Sequence, residues 1–232
     1  MGKEEFYFDS RDMETRIHAI LWQPEGKARC VLQIVHGMAE YAERYDRLAR
    51  YLNQEGILVA AEDHLGHGKS RYGRGTEGEG RDIDHPLGYF CSHDPATVVV
   101  RDVHRLKKQV QQDNPGIPYL FMGHSMGSFI LRNYLCRYGS GIDGALIMGT
   151  GMQPALTVKC AKLLAWIQCR LLGQKHPGKL LDKLAFGGYN KKIEAPSTTM
   201  DWLSRDREEV KKYLEDPLCG FLFTVNGFAT LF

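Results

Sequence analysis

"FMGHSMGSF", residues 121–129, sets a lone serine between two glycines, after a short apolar run and ahead of a helical one. Residues 118–125 (PYLFMGHS) predict a strand buried on both faces, and residues 126–139 (MGSFILRNYLCRYG) predict the helix that follows. GHSMG, from Gly123 to Gly127, therefore fits G-x-S-x-G at a strand-to-helix turn. Such a turn lifts a serine hydroxyl to the carboxyl edge of a sheet. Glycines on either side let backbone approach where a side chain would clash, and the helix start directs free N–H groups and a positive dipole end at the reacting centre. Ser125 is the candidate nucleophile, with Gly123, His124 and Gly127 as its supporting turn. The alternative is a serine that merely caps a helix.

Outward from this point the pattern is strand, helix, strand. Residues 4–10 and 15–23 alternate and are rich in aromatic and β-branched residues, so a hairpin is expected across the turn at residues 9–14. Residues 29–37 (RCVLQIVHG) and 57–64 (ILVAAEDH) read as buried strands, with a helix over residues 45–56 between them. A polar, glycine-rich surface loop is expected from Gly66 to about Asp94, then a helix starting at Pro95 and stopping before Pro115. Residues 144–151 (GALIMGTG) give one more strand. The alternation implies an α/β protein with a mostly parallel sheet. After Thr150 no buried strand run recurs, and the rest reads as helices. The expected division is a core over residues 1–150 and a helical cap with the start of a return to the core over residues 151–232.

Acyl transfer also needs two backbone donors aimed at the developing oxyanion, each worth about 3 kcal/mol. The residue after the nucleophile, Met126, supplies one amide; the other is expected from Met38, just after His36 and Gly37 in the loop that follows the third strand.

Three blocks, IVHGMAEYAERY, AEDHLGHGKS and FMGHSMGS, resemble in order and spacing those of the monoacylglycerol lipase and lysophospholipase branch of the α/β-hydrolases, grouped with serine aminopeptidases. The resemblance runs over all 232 residues. It implies the α/β-hydrolase fold with a helical cap inserted after the sixth strand, and hydrolysis of carboxylic esters with medium or long acyl chains. It also implies that the amides of Met38 and Met126 face the oxyanion, and that Asp63, Gly66, His67, Gly68 and Ser70 brace the surrounding loops.

One part of the pattern is missing. A serine hydroxyl needs a histidine to take its proton and a carboxylate to orient that histidine, in the chain order Ser, acid, His. The only histidine after Ser125 is His176, inside the helical insertion. The family places its acid and histidine after two further strands, and the sequence stops at Phe232 without them. The expectation is a chain without its C-terminal part and with little or no turnover by itself. A short non-catalytic lipid- or ligand-binding protein, an aminopeptidase of the same family, and a rewired site with His36, His64, His67, His124 or His176 as base are the alternatives.

The net charge of +2 makes no case for nucleic acid, and 43% apolar with 25% charged residues argues against disorder. Neither a signal-like start nor a run of about eighteen uncharged apolar residues occurs, so a cytoplasmic protein is expected. Phe6 stands where a myristoylation signal wants Ser or Thr. The six cysteines read as reduced core thiols. Between Ala155 and Lys192 eight basic residues face one acid, Asp182, a local charge of +7. Leu163, Leu164, Ile167 and Leu171 recur there at helical intervals, which allows contact with an anionic lipid surface or equally a helix packed on the core. The missing strands would leave an open sheet edge and a route to self-association. GRGTEG, residues 73–78, matches a dinucleotide fingerprint without its strand and helix, and GHGKS lacks the first glycine of a phosphate loop. His64 and His67 lack a third ligand and are assigned to loop hydrogen bonds. A small lipid or ester substrate is the expected partner; no cofactor and no metal are called for.

Overall fold

The computed structural model describes residues 2–73 and 85–232. The alternating N-terminal segments form β1 (Gly2–Asp9) and β2 (Arg16–Gln23), an antiparallel hairpin with Phe6 opposite Ala19. Its turn is held by Asp12, whose carboxylate accepts from the backbone N–H groups of Glu14 and Thr15, the local bonding that makes aspartate a turn residue. β3 (Cys30–Val35) and β4 (Ile57–Glu62) pair in parallel and are buried almost throughout, as their unbroken apolar runs require. α1 (Asp46–Gln54) connects them and is followed by Gly56 at φ +76°, a left-handed turn that glycine adopts without strain. α2 (Pro95–Asp113) carries proline in its first turn and leads to β5 (Tyr119–His124), α3 (Met126–Tyr138) and β6 (Gly144–Met148).

The six strands make one sheet in the order β1-β2-β4-β3-β5-β6, antiparallel across β1, β2 and β4 and parallel from β4 to β6. Side chains alternate between its faces. Leu58, Ala60 and Phe121 join Val99, Val103 and Leu106 of α2 and Leu131 and Tyr134 of α3 in one apolar cluster. Val59, Ala61 and Met122 join Ala49 of α1 in the other. Each large aliphatic or aromatic side chain fully removed from water here stabilises the fold by about 1.5–3 kcal/mol. Past β6 the chain is helical: α4 (Ala155–Leu172), α5 (Lys179–Phe186), α6 (Arg207–Glu215) and α7 (Val225–Leu231). α7 returns to the first cluster through Val225 and Phe228. No described helix is long and apolar enough to cross a membrane.

Two sequence expectations need correction. The stretch after Gly66 is not simply a surface loop, because His67 and Ser70 at one end and Tyr89, Phe90 and Cys91 at the other are buried. Phe90 stacks edge-on against Phe223, and Asn226 accepts from the Phe90 N–H, so the end of the loop is core for the returning chain. Most of the GRGTEG motif lies outside the described residues. The cysteines are all free, and Cys91 and Cys219 are buried with Cys169 packed half-buried on the core, but Cys136 and Cys160 are exposed on helices. Of the two readings left open for α4, both have a part in the structure: Leu163, Ile167 and Leu171 are exposed, while Leu164 packs on the core cluster and Ala165 is buried.

Candidate active site

Ser125 stands between β5 and α3 at φ +53° and ψ −119°. A non-glycine residue holds such backbone only when its surroundings enforce it. Here three contacts do so. The Ser125 N–H donates to the Met148 carbonyl at the end of β6 (3.0 Å), and the Ser125 carbonyl accepts from both the N–H and the hydroxyl of Ser128 (2.9 and 2.5 Å). The flanking glycines are a steric necessity. A Cβ on Gly127 would lie 2.5 Å from the His36 carbonyl oxygen and closer still to that of Val35, and one on Gly123 would lie 2.6 Å from the Gly127 oxygen. The start of α3 thus presses directly on the end of β3. The Ser125 side chain makes no capping bond to α3, which removes the reading of this serine as a helix cap.

The loop after β3 reaches the same point. A Cβ on Gly37 would stand 3.3 Å from Ser125 Cβ, so the backbone of the loop passes beside the hydroxyl-bearing carbon. Met38 follows, half-buried, and Met126 is buried at the first position of α3. Among the described residues neither amide donates a hydrogen bond. Two free backbone donors therefore belong to the two segments that meet at Ser125, an arrangement suited to an anionic oxygen.

Around this meeting point lies a buried polar frame. Glu40 accepts from the Gly37 N–H (2.6 Å), the Tyr45 hydroxyl (3.0 Å) and Arg44 (3.0 Å), and its oxygen lies 3.4 Å from His124 Nδ1. Burial opposes the charge of Glu40, but the His124 hydrogen bond and the neighbouring positive groups hold its carboxyl down at about 2. The same hydrogen bond raises the His124 pKa, with burial opposing. Asp63, at the end of β4, accepts from His18 Nδ1 (2.9 Å) and from the N–H groups of Ala42 and Lys69 (both 2.8 Å). Burial pushes its carboxyl up, and these bonds bring it below the ordinary carboxylate value. Ser70 accepts from the His18 N–H. The block from Asp63 to Ser70 thus ties β2, β4 and the loop after β3 together.

Two of the candidate bases, His36 and His124, have other partners, whereas both ring nitrogens of His64 and Nε2 of His67 make no hydrogen bond among the described residues. His36 uses both ring nitrogens: Nδ1 lies 2.8 Å from the Gly37 oxygen and Nε2 accepts from the His64 N–H (3.0 Å). Burial, reinforced by the neighbouring histidines, puts its pKa well below normal. His64 and His67 are fully buried, at about 4 and about 3, because burial disfavours their charged forms. His124 pairs with Glu40, and His176 is exposed in the turn between α4 and α5. Among the described residues no histidine or carboxylate hydrogen-bonds the Ser125 hydroxyl. No described group of three or more His, Cys, Asp or Glu residues could hold a metal.

Sequence reading missed Glu40, His18, Tyr45, Tyr213 and Asp216. An acid three residues past a buried glycine is a usable sign of a side chain folding back on the backbone. A histidine within the apolar strand RIHAILWQ is another. Tyr213 carries no local sign, because its partner Ala39 lies 174 residues away.

A family profile described as "Serine aminopeptidase, S33" matches residues 26–232. The chain is 30% identical over 214 residues to a monoglyceride lipase homolog of Monkeypox virus, covering 92% of this chain and 65% of that protein. It is 30% identical over 203 residues to the monoglyceride lipase of Mus musculus, covering 85% of this chain and 54% of that one. The chain therefore spans between about half and two thirds of these curated relatives. A thermostable carboxyl esterase from Bacillus coagulans, solved in complex with glycerol, superposes with a TM-score of 0.86 at 29% identity, covering all of this chain and 71% of the esterase.

Proposed function

The chain belongs to the serine aminopeptidase S33 family of α/β-hydrolases, and on that premise we propose that it carries the nucleophilic half of a carboxylic ester hydrolase acting on monoacylglycerol- or lysophospholipid-like substrates. Ser125 attacks the acyl carbonyl, the amides of Met38 and Met126 bind the oxyanion, and an acyl-serine intermediate forms. His36, Gly37, Gly123, His124 and Gly127 shape the turn and the adjoining loop. The observation that carries the reading is the contact of the Gly37 backbone with Ser125 beside two amides that donate to no described residue. The names of the relatives support an ester of glycerol over a peptide.

By the same reading residues 1–232 turn over slowly by themselves. Proton removal from a serine at neutral pH needs an imidazole in contact, and no described histidine hydrogen-bonds the Ser125 hydroxyl. Hydrolysis of p-nitrophenyl esters of graded acyl length, with and without added imidazole, tests this. Low turnover that imidazole raises and Ser125→Ala abolishes is the expected result; equal turnover in Ser125→Ala removes the proposal.

One observation favours a second reading, a silent lipid-binding protein: the hydroxyl of Ser125 has no described base. In that case fatty-acid binding is unchanged by Ser125→Ala and ester turnover stays absent with imidazole. Two surface features extend the proposal. α4 exposes Leu163, Trp166 and Leu171 beside Lys159, Lys162 and Arg170, a composition fit for an anionic lipid interface at the cytoplasmic side. At the sheet margin β6 exposes Leu146, Ile147 and Met148 and bears no charge, unlike β1 at the opposite margin with Lys3, Glu4 and Glu5. Bare apolar edges pair with other strands, so self-association through β6 is expected; light scattering that finds Ile147→Lys and wild type equally associated contradicts it.

A further inference from the structure

The loop that carries Met38 is gripped from two sides, and only one grip belongs to the sheet. On the sheet side, Glu40 of the same loop takes the Gly37 N–H and lies 3.4 Å from Nδ1 of His124 at the end of β5. The other grip comes from the cap. Ala39 is buried in left-handed backbone at φ +53°, and its carbonyl oxygen accepts from the Tyr213 hydroxyl of α6 (3.0 Å) and from the Gly220 N–H (3.0 Å). Both donors belong to the segment formed by α6 and the turn after it. Two residues further along the loop, the Tyr41 hydroxyl donates to Asp216 in the same turn (2.7 Å).

The two grips are joined. The Arg44 guanidinium lies 4.9 Å over the Tyr213 ring while donating to Glu40. Met38 therefore sits between a residue whose N–H is fixed by Glu40 and a residue whose carbonyl is fixed by the cap. A peptide plane is set by its neighbours' dihedrals, so the direction of the Met38 amide depends on both. Left-handed backbone at an alanine persists only while it is over-determined, and the Tyr213 and Gly220 donors are the visible constraints on Ala39.

We propose that Tyr213 is a positioning residue for the oxyanion loop: its hydroxyl, with the Gly220 N–H, locks the Ala39 carbonyl, so that the Met38 amide points at Ser125 only while the α6 segment is docked. This rests on the assignment of Met38 as an oxyanion donor, and it makes the competence of the hole a property of cap position. When α6 leaves the core, the Met38 amide loses its direction; the Met126 amide, set by α3, does not.

Selective 15N-methionine labelling of the full chain reads both amides at once. In Tyr213→Phe, which removes one hydroxyl and keeps the ring under Arg44, the order parameter of the Met38 amide is expected to fall from about 0.85 toward or below about 0.6, with Met126 unchanged. Tyr41→Phe, which frees the turn at Asp216, is expected to lower Met38 less and again to spare Met126. A Met38 amide as rigid in Tyr213→Phe as in wild type overturns the proposal. So does an equal fall at Met38 and Met126, which signals general loosening. The readout needs no reaction at Ser125, so a failure of the hydrolase reading and a failure of this clamp are separate outcomes.

Discussion

Replacing Gly127 by alanine sets two effects of opposite sign against each other. Within a helix the change is favourable by up to about 1 kcal/mol, because alanine gives up less backbone freedom. At this position the added methyl lies 2.5 Å from the His36 oxygen and closer still to that of Val35, so reaching ordinary contact at 3.4 Å requires a shift well beyond 0.9 Å. The obstructing atoms are backbone of β3, which cannot rotate aside, and overpacking against rigid surroundings costs typically about 1–3 kcal/mol and occasionally more. Steric cost wins, at about 2 kcal/mol net. For a chain of this size that is a fall in Tm of about 4–8 °C. The movement needed also carries the start of α3, and with it the Met126 amide, away from β3. Gly139, after α3, is the control: its φ is −62°, and an added Cβ would meet only Leu135 side-chain atoms at 3.8–3.9 Å. Gly139→Ala is expected to be neutral or slightly stabilising. Thermal unfolding followed by circular dichroism reads both variants. A Gly127→Ala protein melting within 1 °C of wild type, or a Gly139→Ala protein losing as much as Gly127→Ala, refutes the steric argument.

Three further outcomes follow from the same structure. Glu62 is buried with neither oxygen hydrogen-bonded among the described residues, Oε1 lying 3.7 Å from His64 Nδ1, and burial raises its pKa well above normal; folding therefore holds its proton, and stability is lost as pH rises above the unfolded value of 4.5. Glu62→Gln should remove about 1.4 kcal/mol of that loss per pH unit, and parallel Tm-against-pH curves for the two proteins would contradict it. The pair of Glu40, held down at about 2, and His124, raised, contributes fully between about pH 4.5 and 6.5. Its contribution fades as pH rises through the His124 value or falls toward that of Glu40. An NMR titration should find His124 above 6.5 in wild type and lower in Glu40→Gln; an unchanged value would break the link between the two residues. Trp166 emission should shift to the blue with anionic vesicles, less so at high salt and little with neutral ones; equal shifts with both would remove the electrostatic part of the cap proposal.

The sheet and its motif were legible because each rests on local order in the chain. Buried parallel strands need unbroken apolar runs, and β3, β4 and β5 have them; the glycines around Ser125 mark a place where backbone meets backbone. What the sequence could not display is pairing across distance. The grip of Tyr213 on Ala39, the service of Asp63 to His18 and Ala42, and the engagement of both His36 nitrogens arise only when separate segments are folded together. The facing of the α4 leucines stayed open between solvent and core for a related reason: periodicity gives the spacing of an apolar stripe but not the side it faces.

The central claim is that Ser125, flanked by the amides of Met38 and Met126, is a nucleophile whose hydroxyl is hydrogen-bonded to no histidine among the described residues. Exhaustive exposure to a fluorophosphonate in the presence of imidazole, followed by peptide mapping, tests it most directly. The expected result is one adduct on Ser125, formed faster with imidazole and absent from Ser125→Ala. No adduct on Ser125 after such exposure, or an equal adduct in Ser125→Ala, would contradict it.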